Sequence, residues 1–146
     1  MVPDRIERET LIAAPVERVW ALLTEAEHLG RWFGDAGAEI DLRPGGAMSL
    51  SWEEHDTVHG RVVEVEPQRC FSYRWGPDPD LTDAKSTLVE LTLAAEGEGT
   101  RLRVVESGFA DLDVTPAKRA EQIEGNREGW EIKLGHLHDY AGRVRA

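Results

Sequence analysis

Five histidines, one cysteine and 28 acidic residues are the groups in this 146-residue chain that could hold a metal, move a proton or act as a nucleophile. Their spacing argues against each role in turn. His55 and His59 stand four apart on a strand-like or turn stretch, where the spacing does not clearly set them on one face. His136 and His138 lie in a helical stretch, off its apolar stripe. Surface positions are expected for the histidines, except His59, which adjoins Gly60 and follows an aromatic strand. There is no HExxH pair, no His/Cys cluster and no second cysteine, so no metal or other cofactor is expected. Cys70 alternates with Phe71 and Tyr73 and should face away from the core; being alone, it excludes an internal disulfide and fits a reducing compartment. No Gly-x-Ser-x-Gly elbow occurs. Gly45-Gly46 reads as a hairpin turn and not as a phosphate loop, and Glu53-Glu54 as solvated turn residues. No catalytic residue is assigned.

The aromatic residues are more informative. Five tryptophans sit in a chain with three Phe and two Tyr. A tryptophan carries one N–H that needs a partner when buried, so it fills a core or faces a cavity with its polar edge. Trp20 reads as core packing. Trp32 and Phe33 fall where two short helices return to a sheet, and Trp130 lies on a long helical stripe. Met48, Trp52, Tyr73 and Trp75 point to the inferred buried side of neighbouring strands and are expected to line a pocket. Two charges join them. Glu106 shares parity with Leu102 and Val104, and Arg127 follows Ile123 by four and precedes Trp130 by three. A buried charge is costly unless paired or wet, so the two are expected to meet at the polar end of the pocket. The alternative is that either one reaches water at an edge. The expected ligand-binding set is Trp32, Phe33, Met48, Trp52, His59, Tyr73, Trp75, Glu106, Arg127 and Trp130.

The elements that must position these residues follow from periodicity. Residues 6–13 read as a strand, broken by Ala14-Pro15, with Pro15 opening a helix. Val16, Val19, Trp20 and Leu23 form its apolar stripe, and Thr24-Glu-Ala-Glu27 matches a capping box for a second short helix running to about Leu29. Alternation then predicts strands through Ala36–Leu42, Met48–Trp52, Thr57–Glu66, Phe71–Trp75, Val89–Leu93 and Leu102–Glu106, joined by hairpin-length turns. This is an antiparallel sheet with one buried face. From Thr115-Pro116 onward, Ala120, Ile123, Arg127, Trp130, Leu134, Leu137, Ala141 and Val144 form one stripe of roughly 29 residues, about 43 Å at 1.5 Å per residue. Such a helix must lie across the sheet. The expected fold class is α+β, a seven-stranded antiparallel curved sheet wrapped around a long C-terminal helix, with two short helices after strand 1, in one domain spanning 1–146. A straight helix on a curved sheet leaves a gap at one end.

Composition narrows the partners. With 17 Lys+Arg against 28 Asp+Glu the formal net charge is −11, which repels nucleic acid and anionic lipid. No apolar run approaches the ~18 residues of a membrane span, so no membrane insertion is expected. The first residues lack the apolar core of a signal peptide, and the expected location is cytoplasmic.

Several motifs resemble one family. Ala14-Pro15-x-x-x-Val19-Trp20, Leu23-Thr24 and Leu29-x-x-Trp32-Phe33 look like the opening of the family named for the activator of the heat shock protein 90 ATPase. Asp41-Leu42-Arg43-Pro44-Gly45-Gly46, then Gly60-x-Val62-x-Glu64 with Pro67, resemble its middle signatures. Ser107-Gly108-Phe109 and Gly129-Trp130-x-x-x-Leu134-x-x-Leu137 resemble its closing ones. The resemblance covers residues 6–142 and implies the helix-grip fold of the START/birch-pollen-allergen-like (SRPBCC) superfamily. That superfamily holds hydrophobic small molecules between sheet and long helix. It includes lipid and hormone binders, aromatase/cyclases and a few hydrolytic or lyase-like enzymes. The expected function is therefore a binding module for a small hydrophobic, aromatic or polyketide/lipid-like molecule. The alternatives are a cyclase/hydrolase-type enzyme using Arg127, Glu106, Tyr73 or His59, and a protein-interaction or chaperone-regulating module. The chain is expected to act as a monomer or homodimer.

Overall fold

Alternating apolar residues become strands here because one face of each has a core to bury. In the computed structural model, which describes residues 5–33, 37–52, 55–76, 80–82 and 84–143 without the side chains of 52, 55, 56 and 143, the sheet is antiparallel throughout. The expectations for Ala36, Glu53, Glu54 and Val144, and for the side chain of Trp52, lie outside the described residues. The elements are β1 (Arg5–Ile12), α1 (Val16–Thr24), α2 (Ala26–Trp32), β2 (Ala38–Ile40), β3 (Ala47–Trp52), β4 (His55–Glu66), β5 (Cys70–Gly76), β6 (Thr87–Glu96), β7 (Gly99–Ser107) and α3 (Pro116–Arg143), with a 3₁₀ turn at Phe109–Asp111. The strand order is β1-β7-β6-β5-β4-β3-β2. Consecutive strands from β2 to β7 are neighbours, and α1 and α2 carry the chain from one edge of the curved sheet to the other.

The inner face holds Ile6, Phe71, Tyr73, Val89, Leu91, Leu102 and Val104, all buried. Against it α3, 28 residues and about 42 Å long, lays Ile123, Trp130, Leu134, Leu137 and Ala141. Ala120 is exposed, so the buried stripe begins at Ile123. The start of α3 is as the sequence predicts: Pro116 opens it and Thr115 Oγ1 accepts from the Lys118 N–H at 3.2 Å. The turn before β3 needs its glycines. Gly45 has φ +86°, and a Cβ on Gly46 would lie 2.0 Å from the Asp41 carbonyl oxygen.

The capping box is corrected. Thr24 is the last residue of α1, and its hydroxyl donates back to the Trp20 carbonyl at 2.7 Å. Thr24 is buried, and the carbonyl four residues back is the acceptor within reach. The second helix runs on to Trp32, whose Nε1 donates to the Leu22 carbonyl at 2.7 Å. The last carbonyls of a helix have no partner within it, and this indole supplies one.

One sheet-to-helix ion pair is present where the sequence reading placed none. Arg8, in register with Ile6 and Ile12, reaches Glu131 on α3 at 3.1 Å.

Candidate functional site

Strand alternation turns Glu106 inward at the middle of the sheet, between Ile6 of β1 and Val89 of β6. It is fully buried. An isolated carboxylate there would be strongly destabilising. Instead, four neutral donors from three elements surround it. Trp75 Nε1 on β5 donates to Oε2 at 2.9 Å, and Thr87 Oγ1 on β6 donates to the same oxygen at 2.5 Å. Trp130 Nε1 on α3 donates to Oε1 at 2.9 Å. Asn126 Nδ2, also on α3, straddles both oxygens at 3.3 and 3.1 Å. Among the described residues no Lys, Arg or His forms an ion pair with Glu106. Hydrogen bonds alone compensate the carboxylate, and both of its oxygens are engaged.

This corrects the expected pair with Arg127. The Arg127 guanidinium bonds Glu124, three residues back on the same helix, and is one-third exposed. Ile123 and Trp130 are seven residues apart, and both 126 and 127 lie about 50° from the stripe's centre, on opposite sides, at 100° per residue. Periodicity does not choose between them, but desolvation does. A guanidinium keeps water by staying out, whereas a neutral amide loses less when buried.

The aromatic residues pack around this knot. Phe33, Trp75 and Trp130 form a triangle with ring centroids 5.4, 5.4 and 5.9 Å apart. Trp32 stacks behind Phe33 at 5.0 Å, and Tyr73 meets Trp75 edge-on at 5.8 Å. Burial first, then the nearby Glu106 charge, push the Tyr73 hydroxyl well above the usual phenol range, so it stays neutral.

Two clefts open beside the knot. The larger, about 200 Å³, lies between the first turns of α3 and one end of the sheet. Val58, Trp75, Thr87, Phe109, Leu112, Gln122 and Asn126 line it, with Gly76, Lys85 and Ser86 at its side. The smaller, about 150 Å³, is lined by Phe33, Trp75, Gly125, Asn126, Gly129, Trp130 and Lys133. Trp75 and Asn126 belong to both, so two of the four donors to Glu106 form the shared wall. A Cβ built on Gly125 or Gly129 would meet nothing within 4 Å; these glycines leave the second cleft open.

The anticipated residues divide into groups. Phe33, Trp75 and Trp130 line the clefts. Glu106 lies behind their wall. Trp32, Met48 and Tyr73 are buried in the core and line neither cleft. His59 pairs with Ser49 and Gly76 in the register, and its parity turns it to the face away from α3, opposite to Val58 and Gly60. Its expected place in the cavity is therefore corrected: the β4 alternation puts its neighbours inward, not His59. Asn126, Thr87 and Gln122 were missed. Thr87 was legible, since it shares parity with Val89, Leu91 and Leu93.

Away from the clefts, Glu64, Glu66 and Cys70 bring one ligand atom each within 4.8 Å of one another. Cys70 Sγ donates to Glu64 Oε1 at 3.3 Å. Partial burial, then Glu64, hold the thiol's pKa up at about 11, so it remains a protonated donor.

A family model described as Activator of Hsp90 ATPase homolog 1-like protein matches residues 13–142. No curated protein matches the chain. Protein MLL2253 from Mesorhizobium loti superposes with a TM-score of 0.80 at 23% identity, covering 97% of this chain and 99% of that one. PFC0360w, an HSP90 activator from Plasmodium falciparum, superposes with a TM-score of 0.77 at 19% identity, covering 96% and 97%. DynU16, a protein in the dynemicin biosynthetic locus, gives a TM-score of 0.75 at 25% identity over 94% of this chain but 47% of its own. This chain thus spans about half the length of DynU16.

Proposed function

From the premise that the chain belongs to the family of Activator of Hsp90 ATPase homolog 1-like proteins, we propose that it binds a small, largely apolar, aromatic molecule between α3 and the sheet. The observation that carries this reading is the shared wall. Two clefts meet at Trp75 and Asn126, and a buried carboxylate fixes both side chains. A pinned indole presents a rigid apolar surface to a ligand at little entropic cost. Glu106 and Tyr73 favour binding over chemistry. Neither residue lines a cleft, and the carboxylate oxygens already accept donors from the protein, so a molecule in the clefts would not meet these groups directly. DynU16's place in a biosynthetic locus is in keeping with a small-molecule role. The proposed location is the cytoplasm, supported by a single cysteine. Among the described residues, no helix is long and apolar enough to cross a membrane.

The test is a panel of two- and three-ring aromatic compounds read by tryptophan emission and melting temperature. A true ligand perturbs Trp75 and, at a hundred times its Kd, stabilises the fold by about 2.7 kcal/mol. Val58→Phe and Gly129→Leu, which narrow the larger and the smaller cleft, should each weaken binding in the cleft they fill. If no compound moves either signal, the reading is wrong.

A further inference from the structure

We infer that the larger cleft selects aromatic molecules that carry a positive charge, such as an aryl-alkylammonium, drawn by the Glu106 carboxylate behind its wall. This rests on the binding role proposed above and specifies the charge of the ligand.

Three of the groups that donate to Glu106 belong to residues lining this cleft: Trp75, Thr87 and Asn126. They and Trp130 are neutral, and among the described residues no cation bonds the carboxylate. Hydrogen bonds from neutral groups stabilise its charge but do not cancel it. One net negative charge therefore stands inside the protein, a single side chain behind the cleft. Its bond to Thr87 is 2.5 Å long, and a group packed against so short a side chain lies within roughly 10 Å of it. At that range and an effective dielectric constant of about 20, opposite unit charges attract by roughly tenfold in affinity.

The other charges around the cleft do not offset this one. Lys85 lines the cleft and meets Asp80 at 3.5 Å. Arg74, opposite in strand parity to Tyr73 and Trp75, bonds Ser86 from the outer side of the sheet. Arg119 bonds the carbonyls of Phe109 and Leu112, on a loop that also carries Asp111 and Asp113. Three bases thus face four acids, Asp80, Asp111, Asp113 and Glu106. Of these groups Glu106 alone is fully buried, so salt screens it least. Trp75 and Phe109 add aromatic rings, whose faces attract a cation. The cleft is open to solvent, so an ammonium there keeps part of its water.

Naphthylmethylammonium and naphthylmethanol share one body and differ by an ammonium against a hydroxyl. Calorimetric titration of the whole chain with each, at pH 7 in 150 mM sodium chloride, is the test; the salt screens the field of the acidic surface. The expected result is roughly tenfold tighter binding of the ammonium. Glu106→Gln should bring the ratio of the two affinities close to one. Asn126→Lys should do the same without removing the carboxylate, because the protein then supplies the missing cation beside Glu106; it keeps the test readable where Glu106→Gln does not fold. Val58→Trp, which fills the cleft, should abolish binding of both compounds. Equal binding of the two by the unaltered chain, lost in Val58→Trp, would overturn charge selection and leave the binding role standing. A preference that persists undiminished in Asn126→Lys would overturn the assignment to Glu106. Failure of both compounds to bind, or binding that survives Val58→Trp, would overturn the larger cleft as the binding site itself.

Discussion

Glu106 is the residue on which the interior depends most, because one side chain satisfies donors from β5, β6 and α3 at once. Glu106→Gln keeps the shape but turns an NH₂ toward groups that are themselves donors. The expected cost is roughly 2–4 kcal/mol, measured by urea denaturation. Asn126→Ala should cost roughly 1–2 kcal/mol by removing one donor. Arg127→Ala should change stability by less than about 0.5 kcal/mol, since an exposed pair three residues apart contributes little. A larger loss at Arg127 than at Asn126 would restore the pairing that helical periodicity suggested. Cys70 offers a pH test. Its thiol titrates near 9.0 when unfolded and at about 11 in the fold, so the native state holds the proton longer. That contribution to stability is present below pH 9 and is lost as pH rises toward 11. At pH 8 the native thiolate fraction is roughly a hundredth of the unfolded one, and alkylation should be slower in proportion. Glu64→Gln should speed it by removing the negative charge beside the forming thiolate and leaving only a weaker, neutral acceptor for the thiol.

The helix α3 carries a cost that its cleft explains. Glycine inside a helix is less favourable than alanine by up to about 1 kcal/mol, yet Gly125 and Gly129 sit mid-helix with open space where a Cβ would be. The pair of substitutions Gly125→Ala and Gly129→Ala should therefore stabilise the fold by roughly 1–2 kcal/mol, seen as a raised melting temperature. The same change should weaken any ligand that uses the smaller cleft. A fall in melting temperature would mean that the space is needed for packing. The strands were legible in the sequence because their apolar residues alternate, most plainly in β6, where Thr87, Val89, Leu91 and Leu93 are all buried, and Thr115-Pro116 marked the start of α3 by local chemistry. Thr24 was misread because a Thr-x-x-Glu pattern is the same string whether its hydroxyl caps the next helix or bonds back to the previous one. Asn126 was missed because angle alone does not separate 126 from 127. The clefts were the least legible part. One depends on glycines, where the signal is a missing side chain. The other depends on a loop at Phe109–Leu112, which Arg119 holds by donating to the carbonyls of Phe109 and Leu112 at 2.9 and 3.1 Å.

At the scale of the whole molecule, the excess of acid sets a long-range field that the local pairs do not cancel. A net charge of −11 over 8124 Å² is one net charge per roughly 740 Å², a mean spacing of roughly 27 Å. The Debye length is about 30 Å at 10 mM salt and about 8 Å at 150 mM. The self-repulsion is therefore felt in dilute buffer and largely screened at physiological ionic strength. The attractive pairs act at much shorter range. Arg101 meets Glu96 at 2.6 Å and Glu9 at 2.8 Å, Arg103 meets Glu7 at 2.9 Å, and Arg8 meets Glu131 at 3.1 Å. These distances are well inside either screening length, so salt removes the repulsion before it removes the attraction. The melting temperature should therefore rise between 10 and 150 mM sodium chloride and level off beyond that. Charge reversal at an exposed position such as Glu98→Lys should shrink the rise, because it takes the net charge from −11 to about −9 without breaking one of these contact pairs. A melting temperature that falls steadily with salt would mean that the strand-edge arginine pairs outweigh the field, and would move the electrostatic stability of this fold from the whole surface to the seam between β1 and β7.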